Sequence, residues 1–216
     1  ERFGFFADQF VGNPELDPEK SNGFEVGISQ PLLQGRLRAD IVYFNEELED
    51  EINGFVFDLD TFAFTAQNAD GKSKREGVEV QLAAALTQNL AAEVSYTYTD
   101  STQPDALGGN VREVRRPKDM AALNLNLDFL NARGNANLNV TQSGEQTDDF
   151  FAPPFFIQEK VALDAYTLVD VAVSFAINPR LTVYARAENL FDEDYSNVFG
   201  FIAPGRGAYA GIRFAL

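Results

Sequence analysis

Two stretches of this chain hold side chains of the kinds that bind ligands, and both lie between regular hydrophobic patterns. One stretch has an aromatic set around two prolines, and the other has a set of arginines. The aromatic set is Phe150, Phe151, Phe155 and Phe156, and the cationic set is Arg112, Arg115 and Arg116. Exposed rings can stack on a ligand, and guanidinium groups can attract an anionic one. The rings could equally pack against neighbouring loops, and the arginines could pair with nearby carboxylates.

Catalytic chemistry is restricted by the absence of two residue types. The 216 residues include no cysteine and no histidine. This excludes disulfides, thiolate or imidazole metal sites, and nucleophilic triads that use either residue. Paired carboxylates could still act as general acid and base, but no pair stands out among the 33 Asp and Glu residues. The sequence therefore predicts no enzyme, no metal site and no cofactor.

Charge and hydropathy exclude further classes of protein. The formal net charge of −16 argues against nucleic acid as a partner, because no basic face is available to neutralise phosphates. We interpret most of this charge as solvated loops and a wet interior, not as a dedicated cation site. Hydrophobic residues make up 45% of the chain, yet no apolar run approaches the roughly 18 residues that a membrane helix needs. A transmembrane β-barrel remains possible because its strands alternate and keep mean hydropathy low.

Apolar and polar residues alternate with a period of two along most of the chain, which predicts β-strands. Nine segments show this pattern, near residues 24–29, 37–43, 78–86, 90–99, 123–129, 135–141, 169–177, 181–188 and 207–216. A soluble antiparallel sheet with one buried face would also alternate. However, one polar face contains Asn124, Asn126, Asn135, Asn137 and Asn139. Those amides would need a dense hydrogen-bond network in a dry core, but none beside a water-filled or plug-filled lumen.

The connections between these segments alternate between short and long. Tight turns are expected near residues 34–35, 87–89, 131–134 and 178–180, and long stretches near 45–72, 100–113, 143–164 and 191–204. Within the first long stretch, alternating phenylalanines around Asp58 and Asp60 predict a hairpin. Short turns on one rim and long loops on the other are typical of outer-membrane barrels.

The end of the chain carries the most specific motifs. Asn189-Leu190-Phe191-Asp192 is followed by Tyr195, Pro204-Gly205-Arg206 and an alternating strand that continues to Leu216. This segment resembles the C-terminal end of TonB-dependent outer-membrane receptors. Its Gly211, Phe214 and Leu216 resemble the signal for outer-membrane assembly, except that the last residue of that signal is usually aromatic.

Further motifs support the same resemblance along nearly the whole chain. They are Gly12-Asn13-Pro14 with Pro18-Glu19, Tyr43-Phe44-Asn45 with Ile52, Asn68 and Gly71 leading to Gly77-Val78-Glu79, Tyr96 to Asp100, and Arg116-Pro117. Each motif is weak by itself, but their order and spacing together are specific. The predicted fold class is all-β, an antiparallel transmembrane β-barrel of which roughly nine to ten strands are present, with short periplasmic turns and long extracellular loops.

The resemblance implies a bacterial outer-membrane receptor with about 22 strands and an N-terminal plug in the lumen. Such receptors import scarce nutrients, as iron–siderophore complexes, cobalamin or oligosaccharides, and the TonB complex supplies energy through a TonB box ahead of the plug. Residues 1–216 are then expected to be the C-terminal part of the barrel, without the plug and with at least one barrel strand missing. Expected partners are outer-membrane lipid and lipopolysaccharide, the missing plug and strands, the TonB complex and the barrel assembly machinery. The alternatives are a passive or structural barrel such as a porin or adhesin, and a soluble β-sheet binding module derived from a barrel.

Overall fold

A computed structural model describes residues 11–58, 60, 62–105, 109–152 and 157–215 of the protein. In these ranges the regular structure is almost entirely β, with one 3-10 turn at Leu33–Gly35. No helix found in the described ranges is long and apolar enough to cross a membrane.

Fourteen strands are present in the described residues. Their bounds are β1 Lys20–Leu32, β2 Leu37–Glu49, β3 Ile52–Asp58, β4 Ala63–Asn68, β5 Lys72–Ala85, β6 Leu90–Pro104, β7 Asn110–Arg112, β8 Asp119–Phe129, β9 Gly134–Ser143, β10 Gln146–Ala152, β11 Ile157–Leu163, β12 Tyr166–Asn178, β13 Leu181–Glu188 and β14 Gly207–Phe214.

Ten of the described strands form one antiparallel sheet in a meander. Its order is β1-β2-β5-β6-β8-β9-β12-β13-β14, and β7 pairs with β6. Strands β3 and β4 form one separate hairpin, and β10 and β11 form another. Each of the nine segments with an alternating pattern corresponds to one strand of the main sheet. The prediction of an all-β antiparallel barrel wall is therefore confirmed, and this part of the barrel is not closed.

The chain divides into two compact units. The first consists of Glu1–Glu25, Phe44–Glu76 and Asp100–Glu113. In it, the chain near Val11 extends along β4: the Val11 N–H donates to the Phe64 carbonyl at 2.8 Å, and Asn13 Nδ2 donates to the Ala66 carbonyl at 3.0 Å. Asn68 then donates to the Asp17 carbonyl at 2.9 Å. The Gly12-Asn13-Pro14 motif thus serves to attach this segment to the β3–β4 hairpin.

The second unit consists of Val26–Tyr43, Gly77–Thr99 and Val114–Leu216. Its strand register sorts side chains onto two faces. One row of cross-strand neighbours is Leu90, Leu127, Ala136, Val173, Ala185 and Ala210. The next row is Ala91, Asn126, Asn137, Ala172, Arg186 and Tyr209. Because successive residues of a strand point to opposite sides, one face is aliphatic and the other is rich in amides.

The amide face is hydrogen-bonded across β8 and β9. Asn137 Nδ2 donates to Asn124 Oδ1 at 3.1 Å, and Asn135 Nδ2 donates to Asn126 Oδ1 at 3.1 Å and to Asp128 Oδ1 at 2.9 Å. These asparagines are half-buried, so they keep access to solvent while ordering each other. Such a surface suits a wet lumen, and the aliphatic face suits lipid.

Candidate functional site

Asp148 lies in β10 and is fully buried, with 0% of its surface exposed. Its Oδ1 accepts from Arg115 Nε at 2.8 Å and from the Asp149 N–H at 2.8 Å. Its Oδ2 accepts from the Phe199 N–H at 2.7 Å. Asp148 therefore joins three segments, namely β10 itself, the connection after β7 and the loop after β13.

The pKa of Asp148 lies below its usual range. Burial by itself raises this pKa, but the backbone N–H groups of Phe199 and Asp149 and the guanidinium of Arg115 outweigh it. The carboxylate is consequently ionised at neutral pH. In that state it can accept every hydrogen bond that holds the three segments together.

A second group of contacts holds the 191–206 loop against the β10–β11 hairpin and the start of β12. Asn197 accepts from Tyr166 Oη at 2.7 Å and, through its carbonyl, from Gln146 Nε2 at 3.1 Å. The rings of Tyr166 and Tyr195 lie 4.6 Å apart, centroid to centroid, in a tilted arrangement. This loop is thus fixed by both backbone and side-chain contacts.

The motif Asn189-Leu190-Phe191-Asp192 closes the same loop at its base. Asn189 is buried, donates to the Glu193 carbonyl at 2.9 Å and accepts from the Glu193 N–H at 2.8 Å. Asp192 accepts from the Arg206 N–H at 2.7 Å. The motifs Asn189–Asp192 and 204–206 therefore have a structural role. The first motif hydrogen-bonds to the second and so fixes the position of the chain where it enters β14.

The predicted ligand residues have different environments. Phe150 is half-buried, and its ring packs edge-on against Phe199 at 5.0 Å. The backbone of Phe151 belongs to β10, whereas Phe155 and Phe156 lie outside the described residues. Arg115 is bound to Asp148, and its N–H donates to the Thr147 carbonyl at 2.8 Å. Arg116 follows in the same connection and is exposed.

Two of the predicted assembly residues, Gly211 and Phe214, lie in the last strand. Gly211 is paired with Tyr184 of β13, and Phe214 is paired with Leu181 and is 61% exposed. A Cβ at Gly211 would collide with the Tyr184 ring. Leu216 lies outside the described residues. Their role in assembly stays a prediction.

A cavity of about 460 Å³ lies where the 191–206 loop meets the end of β11. It is lined by residues 162–165, 194–196 and 202–203. Tyr166, next to this lining, is separated from Asp170 and Ala172 by an even number of positions in β12, so the three side chains point to the same face. The cross-strand partners of Asp170 and Ala172 are Asn139 and Asn137. The loop contacts made by Tyr166 therefore belong to the amide side of the sheet. Neither this cavity nor Asp148 could be predicted from the sequence, because neither has a periodic or motif signal.

No group of three or more carboxylates that could hold a metal ion was found in the described part of the chain. The arrangement instead offers loops fixed to each other at one end of a two-faced sheet, with a cavity between them. This arrangement fits one part of a barrel wall with its connections gathered at one end.

The fold defines a segment of a β-barrel wall, and comparison with known proteins identifies the family to which it belongs. Residues 1–190 match the family described as TonB dependent receptor-like, beta-barrel. The chain belongs to this family. Its location is accordingly the outer membrane.

Two curated relatives cover nearly all of the chain. The Iron-regulated outer membrane virulence protein of Vibrio cholerae serotype O1 is 26% identical over 222 residues, which cover 94% of this chain and 32% of the relative. The Vitamin B12 transporter BtuB of Photobacterium profundum is 29% identical over 211 residues, which cover 92% of this chain and 30% of that relative. The chain therefore spans about a third of the length of the curated relatives that it matches.

Solved structures share the fold. The pyoverdine outer membrane receptor FpvA from Pseudomonas aeruginosa PAO1, bound to pyoverdine, superposes with a TM-score of 0.75 at 21% identity, covering 93% of this chain and 30% of that one. The Ferric-Catecholate import receptor Fiu from K12 E. coli, in its closed form, superposes with a TM-score of 0.71 at 19% identity. The match covers 94% of this chain and 28% of that one. The resemblance to receptor barrels found in the sequence is thereby confirmed.

Proposed function

We propose that this chain forms part of the barrel wall and of the ligand-contacting loops of a receptor that takes up a scarce nutrient with energy from TonB. The observation that carries the proposal is the Asp148 network, which joins the loops into one folded unit at the end of a sheet with one aliphatic and one amide face. A passive barrel is the weaker alternative, since the family match is to TonB-dependent receptors.

The nutrient class is an iron–siderophore complex, cobalamin or an oligosaccharide. Relatives named for iron regulation and for vitamin B12 transport support the first two. No catalytic step is part of this function. The protein partners that we propose are a plug domain and the TonB complex, which would bind a TonB box ahead of that plug. Further proposed partners are outer-membrane lipid, lipopolysaccharide and the barrel assembly machinery. Gly211, Phe214 and Leu216 form the proposed assembly signal.

Energy coupling is the property that separates this function from passive transport. The full-length receptor should restore nutrient uptake to cells that lack it, and removal of TonB from those cells should abolish the uptake. Binding of the nutrient at the cell surface should persist without TonB. Uptake that continues at an unchanged rate in cells without TonB would contradict the proposal and favour a passive barrel.

A further inference from the structure

The cavity next to the 191–206 loop has ordered walls, made by the end of β11 and the turn after it on one side and by the loop on the other. On one side, residues 162–165 form the end of β11, which pairs with β10, and the turn into β12, which pairs with β9. On the other, the loop is held by the hydrogen bonds from Tyr166 and Gln146 to Asn197 and by the bond from Phe199 to Asp148. A cavity with such walls can bind a ligand without first paying the entropy of ordering a loop.

The lining combines an apolar surface with negative charge. Leu163 and Ile202 contribute aliphatic surface, and Tyr195 contributes a ring that Tyr166 supports from one side. Asp164 and Asp194 also line the cavity, and both are exposed. Neither carboxylate forms a hydrogen bond or an ion pair with another described residue, and no Lys or Arg is in the lining. The negative charge of this cavity is therefore not neutralised by its own walls.

The position of the cavity determines what can reach it. The Tyr166–Tyr195 contact lies on the amide side of the sheet, which faces the lumen in the proposed receptor. A ligand that enters the lumen would pass this surface. Two carboxylates there repel an anion and attract a cation, and the effect increases as the ligand displaces water. An aromatic ring beside them also favours a cation, through the negative face of its π-system.

We infer that this cavity binds a positively charged organic group with a hydrophobic body, and that the nutrient of this receptor carries such a group and no net negative charge. The inference rests on the proposed function and narrows its ligand class. The apolar surface of Leu163 and Ile202 takes the hydrophobic body, while Asp164 and Asp194 take the charge. The cavity volume of about 460 Å³ is within the range of small-molecule sites, roughly 300–1,000 Å³.

The test uses the full-length receptor in detergent micelles and three probes that share a benzyl group and differ in charge, namely benzyltrimethylammonium, benzyl alcohol and benzylsulfonate. Ligand-observed NMR titration measures the affinity of each probe. We expect the cation to bind about tenfold or more tightly than the anion, and we expect added salt to reduce the difference. The double substitution Asp164→Asn with Asp194→Asn should reduce this preference to less than about threefold.

The matched control is Glu159→Gln, which removes an exposed carboxylate of the same hairpin outside the lining. It should leave the cation preference unchanged. Equal binding of cation and anion to the unsubstituted receptor, or a preference that survives the double substitution, would overturn the inference. Circular dichroism of each variant verifies that the barrel is folded. These outcomes are independent of energy coupling, because probe binding needs no TonB, so the inference and the proposed function can fail separately.

Discussion

At the scale of single residues, the loops depend on one buried carboxylate. Asp148 is charged and fully buried, and its cost of burial is offset by hydrogen bonds from Arg115 and from two backbone N–H groups. Arg115 could be named from the sequence as a ligand residue or an ion-pair partner, and the structure shows the ion pair. Asp148 could not be named, because an aspartate in an acidic chain gives no local signal that it will be buried.

The first prediction concerns loss of this charge. Asp148→Asn keeps the shape of the side chain but replaces one accepting oxygen with an NH2 group, which donates hydrogen bonds and cannot accept them. We expect the connections at 144–165 and 191–206 to lose about 1–3 kcal/mol of local stability. Hydrogen exchange of these segments in the full-length receptor measures the loss. Glu159→Gln is the control, and equal exchange in both variants would refute a central role for Asp148.

The second prediction concerns pH. Because the pKa of Asp148 is lower in the folded loops than in an unfolded chain, its stabilisation is fully present above the ordinary aspartate pKa of about 3.9. That stabilisation is lost as the pH falls through the lower, folded value. Protection of the 191–206 loop should therefore be constant from neutral pH down to about pH 4 and decline below it. Asp148→Asn should lack this particular acid step, as measured by exchange or by proteolysis across the range.

At the scale of elements, period-two alternation identified every strand of the main sheet except β7. It identified them because each strand has one apolar face and one polar face. The β3–β4 hairpin was also predicted, from its alternating phenylalanines. The β10–β11 hairpin was not, because acidic residues and two prolines interrupt its pattern. The contact of the Val11 segment with β4 could not be predicted either, since it depends on backbone hydrogen bonds that any sequence can form.

The third prediction concerns the pairing of glycine with an aromatic ring across two strands. Tyr184 of β13 lies over Gly211 of β14, as Phe129 lies over Gly134 between β8 and β9. Gly211→Ala should displace the tyrosine ring and destabilise the β13–β14 pair by about 1 kcal/mol. Thermal unfolding of the full-length receptor in micelles measures this. When Tyr184 is replaced by alanine, Gly211→Ala should destabilise the receptor much less. Equal destabilisation with and without the Tyr184 ring would show that the ring is irrelevant.

At the scale of the whole molecule, the described strands form an open wall whose function needs a continuous barrel. The family, the outer-membrane location and the presence of two different faces could all be predicted, because the membrane imposes one alternation on every strand. The loop contacts could not, because they depend on tertiary positions of residues far apart in sequence, such as Arg115 and Phe199 around Asp148. The ligand depends on those contacts, so sequence patterns alone left three nutrient classes open.

The fourth prediction tests which face of the wall meets lipid, with two neighbouring residues in the middle of β8. Leu125 is in register with Ala92 and Leu138 on the aliphatic face, and Asn126 is in register with Asn137 on the amide face. Leu125→Lys should destabilise the barrel in bilayers by about 2–4 kcal/mol, because it places a charge against hydrocarbon near the midplane. Asn126→Lys should change stability by less than about 1 kcal/mol, since its charge remains in the wet lumen. Urea unfolding of the receptor in vesicles measures the loss of stability in both variants.

An equal loss of stability in the two variants would mean that the two faces do not separate lipid from water. A larger loss in Asn126→Lys would mean that the wall is oriented with its amides outward.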